Sequence, residues 1–143
     1  RHADGFMTVI TGEEFTDRLY PAVRKYAREE GRDPDAFETT VLVIASYHPD
    51  YERAYEATEP WWENTQDVFD RAIADPREIE ALGQVATHEE VEEKFLIADD
   101  PSTIAAEIEE LASQGFDRVA LANTSPEPER LFEVMGEEVI PSL

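Results

Sequence analysis

Short blocks of consecutive apolar residues alternate along this chain with longer stretches in which apolar positions return every three or four residues. The first block, Phe6-Met-Thr-Val-Ile10, is β-prone and is entered through Asp4-Gly5. Beyond Gly12, Phe15, Leu19, Val23 and Tyr26-Ala27 fall on one helical face. Pro21 interrupts that pattern and predicts either a kink or a helix restarted with proline in its first turn. Gly31 ends the helix, and Arg32-Asp33-Pro34-Asp35 is a turn. Thr39 to Ser46 is apolar without alternation through its middle, the pattern of a strand buried on both faces of a parallel sheet.

Pro49 stops that strand, and Tyr51 to Asn64 predicts helix broken at Pro60-Trp61-Trp62. Thr65 to Glu93 has weak periodicity and several helical turns, an excursion longer than a simple connection. Within it, Asp75-Pro76-Arg77-Glu78 has the chemistry of a helix start. Asp100-Pro101 opens the next helix, which turns Ile104, Ile108 and Leu111 inward and stops at Gly115. Phe116 to Ala122 is a third strand, and Ser125-Pro126 is expected to cap a final helix carrying Leu131, Phe132, Met135 and Val139. The order β-α-β-(helical excursion)-α-β-α predicts an α/β fold with parallel strands and right-handed crossovers. Three strands make a small sheet with two unpaired edges, so the chain is expected to be part of something larger.

Composition narrows the picture. A length of 143 residues suits one domain, and 10% aromatic content argues against disorder despite a formal charge of −22. The longest uninterrupted apolar run, Val41 to Ala45, is too short to span a bilayer. Cysteine is absent, which removes thiol catalysis and thiolate zinc sites. The chain does not open with Met, and no charged-then-apolar leader precedes its first strand; a cytoplasmic location without membrane anchoring is expected. A sequence pI near 4.2 argues against nucleic-acid binding, which needs clustered Lys and Arg. The acid is spread over every helical segment, as expected of a surface adapted to a salty cytoplasm; an acidic patch for a basic partner is the alternative.

Ligands of α/β folds approach the carboxyl ends of the strands, here Thr8 to Gly12, Ser46-Tyr47-His48 and Ala122 to Ser125. His48 is the best placed of the three histidines for catalysis, but it lacks a sequence-local carboxylate and a structural role competes; no metal site is expected. Adjacent helical tryptophans point roughly 100° apart, so one of Trp61 and Trp62 can pack inward while the other faces a cleft. Lys94 and Arg71 stand out because basic residues are scarce. Either could neutralise a substrate phosphate, and Lys94 could equally pair with Glu90 at i, i+4.

The ordered blocks carry a resemblance. Arg1-His-Ala-Asp-Gly-Phe6, Leu19-Tyr20-Pro21-Ala-Val23 and Gly31-Arg-Asp-Pro-Asp35 resemble the later part of a luciferase-like (β/α)8 barrel. Ile44-Ala-Ser-Tyr47 before Pro49-Asp50, Trp62, Asp75-Pro76 with Glu78 and Glu80, Lys94-Phe95, Ile97-Ala98, Asp100-Pro101, Gly115-Phe116 and Leu131-Phe-Glu133 resemble one subgroup. That subgroup is the coenzyme F420-dependent glucose-6-phosphate dehydrogenases and their relatives.

The resemblance implies the carboxy-terminal part of the barrel, about three βα units holding its sixth, seventh and eighth strands, with 61–93 a helical insertion after the second strand of this chain. It implies hydride transfer between a substrate carbon and the deazaflavin coenzyme F420. It implies that the credited catalytic residues lie in earlier strands, so no catalytic residue is assigned here. Thr8 or Thr11 would approach the coenzyme, and Lys94, Arg71 and Trp62 would meet a small-molecule substrate, a sugar phosphate among the candidates. Lys94 falls where the subgroup has an arginine, whereas Val9-Ile-Thr-Gly12 lacks the cation expected in the loop after the sixth strand. Implied partners are the missing amino-terminal part of the barrel and a second copy in a homodimer. Two alternatives remain: a luciferase-like monooxygenase using FMN and dioxygen, and a non-catalytic acidic interaction domain.

Overall fold

The computed structural model describes residues 3–66, 68 and 73–143. Strand β1 (Gly5–Thr8) leads through a turn widened to i→i+5 bonding (Glu14–Leu19) into helix α1 (Tyr20–Glu29). Pro21 sits in the first turn of α1, and Leu19 and Tyr20 keep right-handed helical dihedrals, so the widened turn runs into the helix without a break. A single 3₁₀ turn (Pro34–Ala36), capped by the Asp33 carboxylate, precedes strand β2 (Glu38–Tyr47). Then follow α2 (Tyr51–Glu56), a 3₁₀ segment (Glu59–Thr65) with Pro60 in its first turn, α3 (Pro76–Gly83), α4 (His88–Lys94) and a short strand β3 (Leu96–Ala98). Helix α5 (Pro101–Ser113), strand β4 (Arg118–Asn123), α6 (Pro128–Val134), a second widened turn (Met135–Val139) and α7 (Ile140–Ser142) complete the chain.

The described residues form a mixed α/β chain with a parallel sheet in which β2 pairs with β1, β3 and β4. Contacts divide it into two units, Arg1–Val43 with Ala105–Ala122 and Ile44–Ile104 with Asn123–Leu143.

In the first unit β1 lies parallel to the start of β2, Gly5 beside Glu38 through Thr8 beside Val41. A Cβ on Gly5 would stand 2.4 Å from the Glu38 carbonyl oxygen, so glycine permits this approach. Asp117 pins β4 to β2: its Oδ2 accepts from the Thr39 backbone N–H at 2.8 Å, and its own N–H donates to the Thr39 carbonyl at 3.0 Å. Gly115, at φ 100°, reverses the chain between α5 and this contact. Phe15, Val41, Leu111 and Phe116 form the core, with Phe6, Ile10, Leu19 and Tyr20 packed against it. Phe6 and Ile10 take the packed face of β1, which leaves Met7 and Val9 on the other face, 61% and 60% exposed.

In the second unit Ala45 to Tyr47 pair with Leu96 to Ala98, and Ala54, Tyr55, Val91, Phe95 and Ile97 form the core beneath. Helix α4 begins with a capping box: Thr87 Oγ1 accepts from the Glu90 N–H, and Glu90 Oε2 accepts from the Thr87 N–H at 2.7 Å. Replacing Thr87 by alanine is expected to lower stability by about 1 kcal/mol, read from urea unfolding of the complete protein, with Thr87→Asp restoring most of it. The Thr87 N–H, and after it the Thr87 hydroxyl, holds the Glu90 carboxyl below the usual carboxylate range. That half of the box is therefore present at neutral pH and is lost as pH falls through the depressed value.

Four expectations are corrected. Leu96–Ala98 is a strand, so the described residues hold a fourth strand beside the three expected. Ser125 does not cap the last helix, which begins at Pro128; its Oγ accepts from the Tyr47 N–H at 2.9 Å instead. Phe132 is 69% exposed, because Leu131 and Val139 take the packed face. Tyr26 likewise points outward from α1 while Ala27 is buried. Ile104 and Leu111 are buried as expected, with Ile108 half-buried. No helix of the described residues is long and apolar enough to cross a membrane.

Candidate functional site

Three strand ends of the second unit are stitched together by backbone bonds. The His48 N–H donates to the Ala98 carbonyl at 3.1 Å, and the Thr124 N–H to the Ala45 carbonyl at 2.9 Å. Tyr47 is tied to Ser125 as described, and the Ser125 N–H donates to Asn123 Oδ1 at 2.9 Å. Burial, and after it the charge of Glu138, pushes the Tyr47 phenol up from its ordinary pKa. Beside it, Ser46 is 1% exposed and its hydroxyl has no hydrogen-bond partner among the described residues. An unpaired buried hydroxyl costs about 1–3 kcal/mol.

His48 is buried, and its carboxylate partner is distant in sequence. The Asp50 N–H donates to Nδ1 at 2.9 Å, the Asp50 carbonyl lies 3.3 Å from the same nitrogen, and Nε2 stands 3.5 Å from Glu127 Oε1. Arg53 Nη2 reaches the same oxygen at 3.2 Å. Arg130 holds the other, Nε at 3.0 Å and Nη2 at 2.9 Å from Oε2. Bonding and charge from Arg130, then the charges of Arg53 and His48, keep the Glu127 carboxyl below the usual carboxylate range. Sequence reasoning missed this group apart from His48. Its only signal was the presence of two arginines near strand ends in a chain poor in basic residues.

Trp62 is half-buried, stacks obliquely on Tyr55 with ring centroids 5.4 Å apart, and donates its indole N–H to Thr58 Oγ1 at 2.9 Å. It also lines a cleft of ≈ 360 Å³ whose other walls include Glu59, Glu63 and Glu80. Trp61 is 42% exposed and does not line that cleft, so Trp62 alone both packs inward and meets the cleft, where one role for each tryptophan was expected. Lys94 lines a separate cleft of ≈ 210 Å³ with Thr65, Glu90 and Glu93. It has no ion-pair partner among the described residues, because Glu90 is engaged by Thr87. Arg71 lies outside the described residues.

His88 stacks on Tyr55 at 4.5 Å, with Nδ1 3.1 Å from Glu92, and opens α4. Tyr51 donates to the same carboxylate at 2.6 Å; burial first, and then that bond, pushes its phenol up. This group serves packing. His2 lies outside the described residues.

Thr8 and Thr11 belong to the first unit. Thr8 shares the packed face of β1 with Phe6 and Ile10, and its Oγ1 accepts from the Ile10 N–H at 2.9 Å, closing the turn after the strand. Thr11 is exposed, without a partner for its hydroxyl among the described residues. Next to it the Gly12 N–H, at φ 63°, donates to Gln114 Oε1 at 2.7 Å.

A family model described as luciferase-like monooxygenase matches residues 1–118. The F420-dependent glucose-6-phosphate dehydrogenase of Microbacterium testaceum is 27% identical over 146 residues, 100% of this chain and 44% of that protein. The F420-dependent glucose-6-phosphate dehydrogenase 2 of Rhodococcus jostii is 29% identical over 147 residues, again 100% of this chain and 43% of the relative. Among solved structures, an F420-dependent secondary alcohol dehydrogenase in complex with an F420-acetone adduct superposes with a TM-score of 0.86. It is 27% identical, covering 97% of this chain and 42% of that one. The F420-dependent tetrahydromethanopterin reductase of Methanopyrus kandleri shares the fold, with a TM-score of 0.72 at 24% identity, covering 98% of this chain and 45% of that one. The chain thus spans under half the length of the relatives it matches.

Proposed function

The chain belongs to the luciferase-like monooxygenase family, and from that premise we propose that it is the carboxy-terminal part of an F420-dependent oxidoreductase with a (β/α)8 barrel. The observation that carries this is similarity along 100% of the chain to an F420-dependent dehydrogenase, together with a fold match of TM-score 0.86 to another. Bound F420 would supply a carbon centre that takes or gives a hydride.

The residues here fit such a group. Met7 and Val9 present an uncovered apolar strand face suited to a flat ring or to the strands that enclose it, and Thr11 offers a free hydroxyl beyond the strand. Thr8 lies on the opposite, packed face with one oxygen lone pair taken by the Ile10 N–H, so of the two threonines Thr11 is the one placed to approach the coenzyme. The same open face argues against a stand-alone acidic interaction domain, because an uncovered apolar strand at a sheet edge invites aggregation.

Lys94 is the residue that would meet a substrate phosphate, a sugar phosphate being the class its position suggests. Its cleft contains Glu90 and Glu93, so without the lysine a phosphate dianion would meet only like charge. The Trp62 cleft, walled by three glutamates, suits the uncharged hydroxyl-bearing part of a substrate better than its phosphate. The described part of the proposed insertion 61–93 supplies most of the lining of both clefts, with Glu59, Pro60 and Lys94 just outside it.

The complete protein is expected to bind F420, read as a shift in the coenzyme's fluorescence, and to bleach its absorbance when substrate is supplied. Tight FMN binding with dioxygen consumption, and no response to F420, would replace this reading with the monooxygenase. With F420 turnover in hand, Lys94→Glu should raise KM for a phosphorylated substrate about 10- to 100-fold, the weight of a charge-assisted bond lost and a repulsion gained. An unchanged KM would remove the phosphate assignment and leave the F420 reading standing.

A further inference from the structure

This chain carries twelve lysines and arginines against thirty-four carboxylates. Three nitrogen-bearing groups nevertheless converge on the single carboxylate of Glu127: the Arg53 guanidinium, the Arg130 guanidinium and the His48 Nε2. They come from the loop after β2, from α2 and from the first turn of α6, at the strand ends where barrel folds take ligands. We propose that Arg53, Arg130 and His48 form an anion site for the phosphate monoester of a small molecule, held closed by Glu127 as an internal stand-in.

Geometry and charge both support the exchange. Glu127 uses both oxygens, Oε1 toward His48 and Arg53 and Oε2 toward two nitrogens of Arg130. The donors therefore already surround a small oxyanion from two sides, and forked guanidinium donors suit phosphate as well as carboxylate. A phosphate dianion carries up to twice the charge of the carboxylate it would displace, and its tetrahedral oxygens can meet separate donors. Glu127 can leave: its side chain is 40% exposed, it precedes Pro128, and it lies outside the helix. His48 turns Nε2 toward the site, its ring held by the contacts of Nδ1 with the backbone of Asp50. The residues are distinct from those of the Lys94 cleft, and the inference does not depend on F420 chemistry.

Inorganic phosphate, titrated calorimetrically into the complete protein, tests the site. Glu127→Gln keeps size and an acceptor oxygen but removes the competing charge, so phosphate should bind at least tenfold more tightly than to the unaltered protein. Adding Arg130→Gln to that variant should abolish the gain. Glu127→Gln binding no tighter, or a gain that survives loss of Arg130, would overturn the proposal and leave a clamp between two loops. If Glu127→Gln melts below the assay temperature, Arg130→Gln alone decides the matter. The affinity of the otherwise unaltered protein must then fall at least tenfold, or the proposal fails.

Discussion

Phe15→Ala should lower the unfolding free energy of the complete protein by about 3–5 kcal/mol, the cost of emptying a fully buried aromatic site. Phe15 is wholly inaccessible, and its ring lies 3.9 Å from that of Phe116 at 24° and 5.4 Å from that of Tyr20 at 21°. Phe6 contributes a third aromatic neighbour at 6.4 Å. Stacked pairs of this kind add about 0.5–1.5 kcal/mol beyond simple burial. The neighbours arrive from β1, from α1 and from the segment after α5, so truncation loosens three stretches distant in sequence at once. The cavity cannot collapse easily, because Val41 and Leu111 are themselves fully packed. Urea unfolding reads the loss, and Tyr26→Ala on the exposed face of the same helical segment is the control, expected to change stability by less than about 0.5 kcal/mol. A loss at Phe15 no larger than at Tyr26 would mean that this aromatic stack is not the core of the first unit.

Local chemistry made part of this architecture legible. Asp75-Pro76 starts α3, with Asp75 Oδ1 accepting from the Arg77 N–H at 3.0 Å, and Asp100-Pro101 starts α5, with Asp100 Oδ1 accepting from the Ser102 N–H at 2.8 Å. Strand β2 was legible for the same reason: ten residues of β-prone chemistry need no distant information. Strand β3 needed it. Three residues after a helix carry no periodicity, and Leu96–Ala98 is extended because Ala45 to Tyr47 lie beside it.

Ser125 shows the opposite failure. A serine before proline has the local chemistry of a cap, but the Tyr47 N–H takes its oxygen first. At the strand ends the sequence singled out His48 but not its partner. The link to Glu127 closes only when the residues after β2 and β4 meet, and no spacing rule encodes that. Lys94 shows what elimination needs: its pairing with Glu90 was an open alternative until the capping box was seen to claim that carboxylate.

Thermal stability of the complete protein should rise steeply between about 0.1 and 2 M KCl, by more than about 10 °C in Tm at neutral pH. Twenty-two carboxylates of this chain would lack a basic partner even if every Lys and Arg in it were paired. The ion pairs that do form are mostly exposed, such as Arg18 with Glu14 and Arg77 with Asp75, and pairs of that kind are worth at most about 1 kcal/mol. They cannot offset repulsion summed over the surface. At 0.1 M salt the screening length is about 10 Å, so each carboxylate feels many others; at 1 M it is about 3 Å, shorter than most surface separations. Unfolding relieves the repulsion by spreading the charges, so low salt favours the unfolded chain and added salt favours the folded one. We propose on this ground that the surface is adapted to a salty interior. Sodium and potassium chlorides should act alike if screening is the cause. A flat profile would show that the carboxylates are not repelling one another in the folded protein. The acidic surface would then have to be accounted for by a bound basic partner.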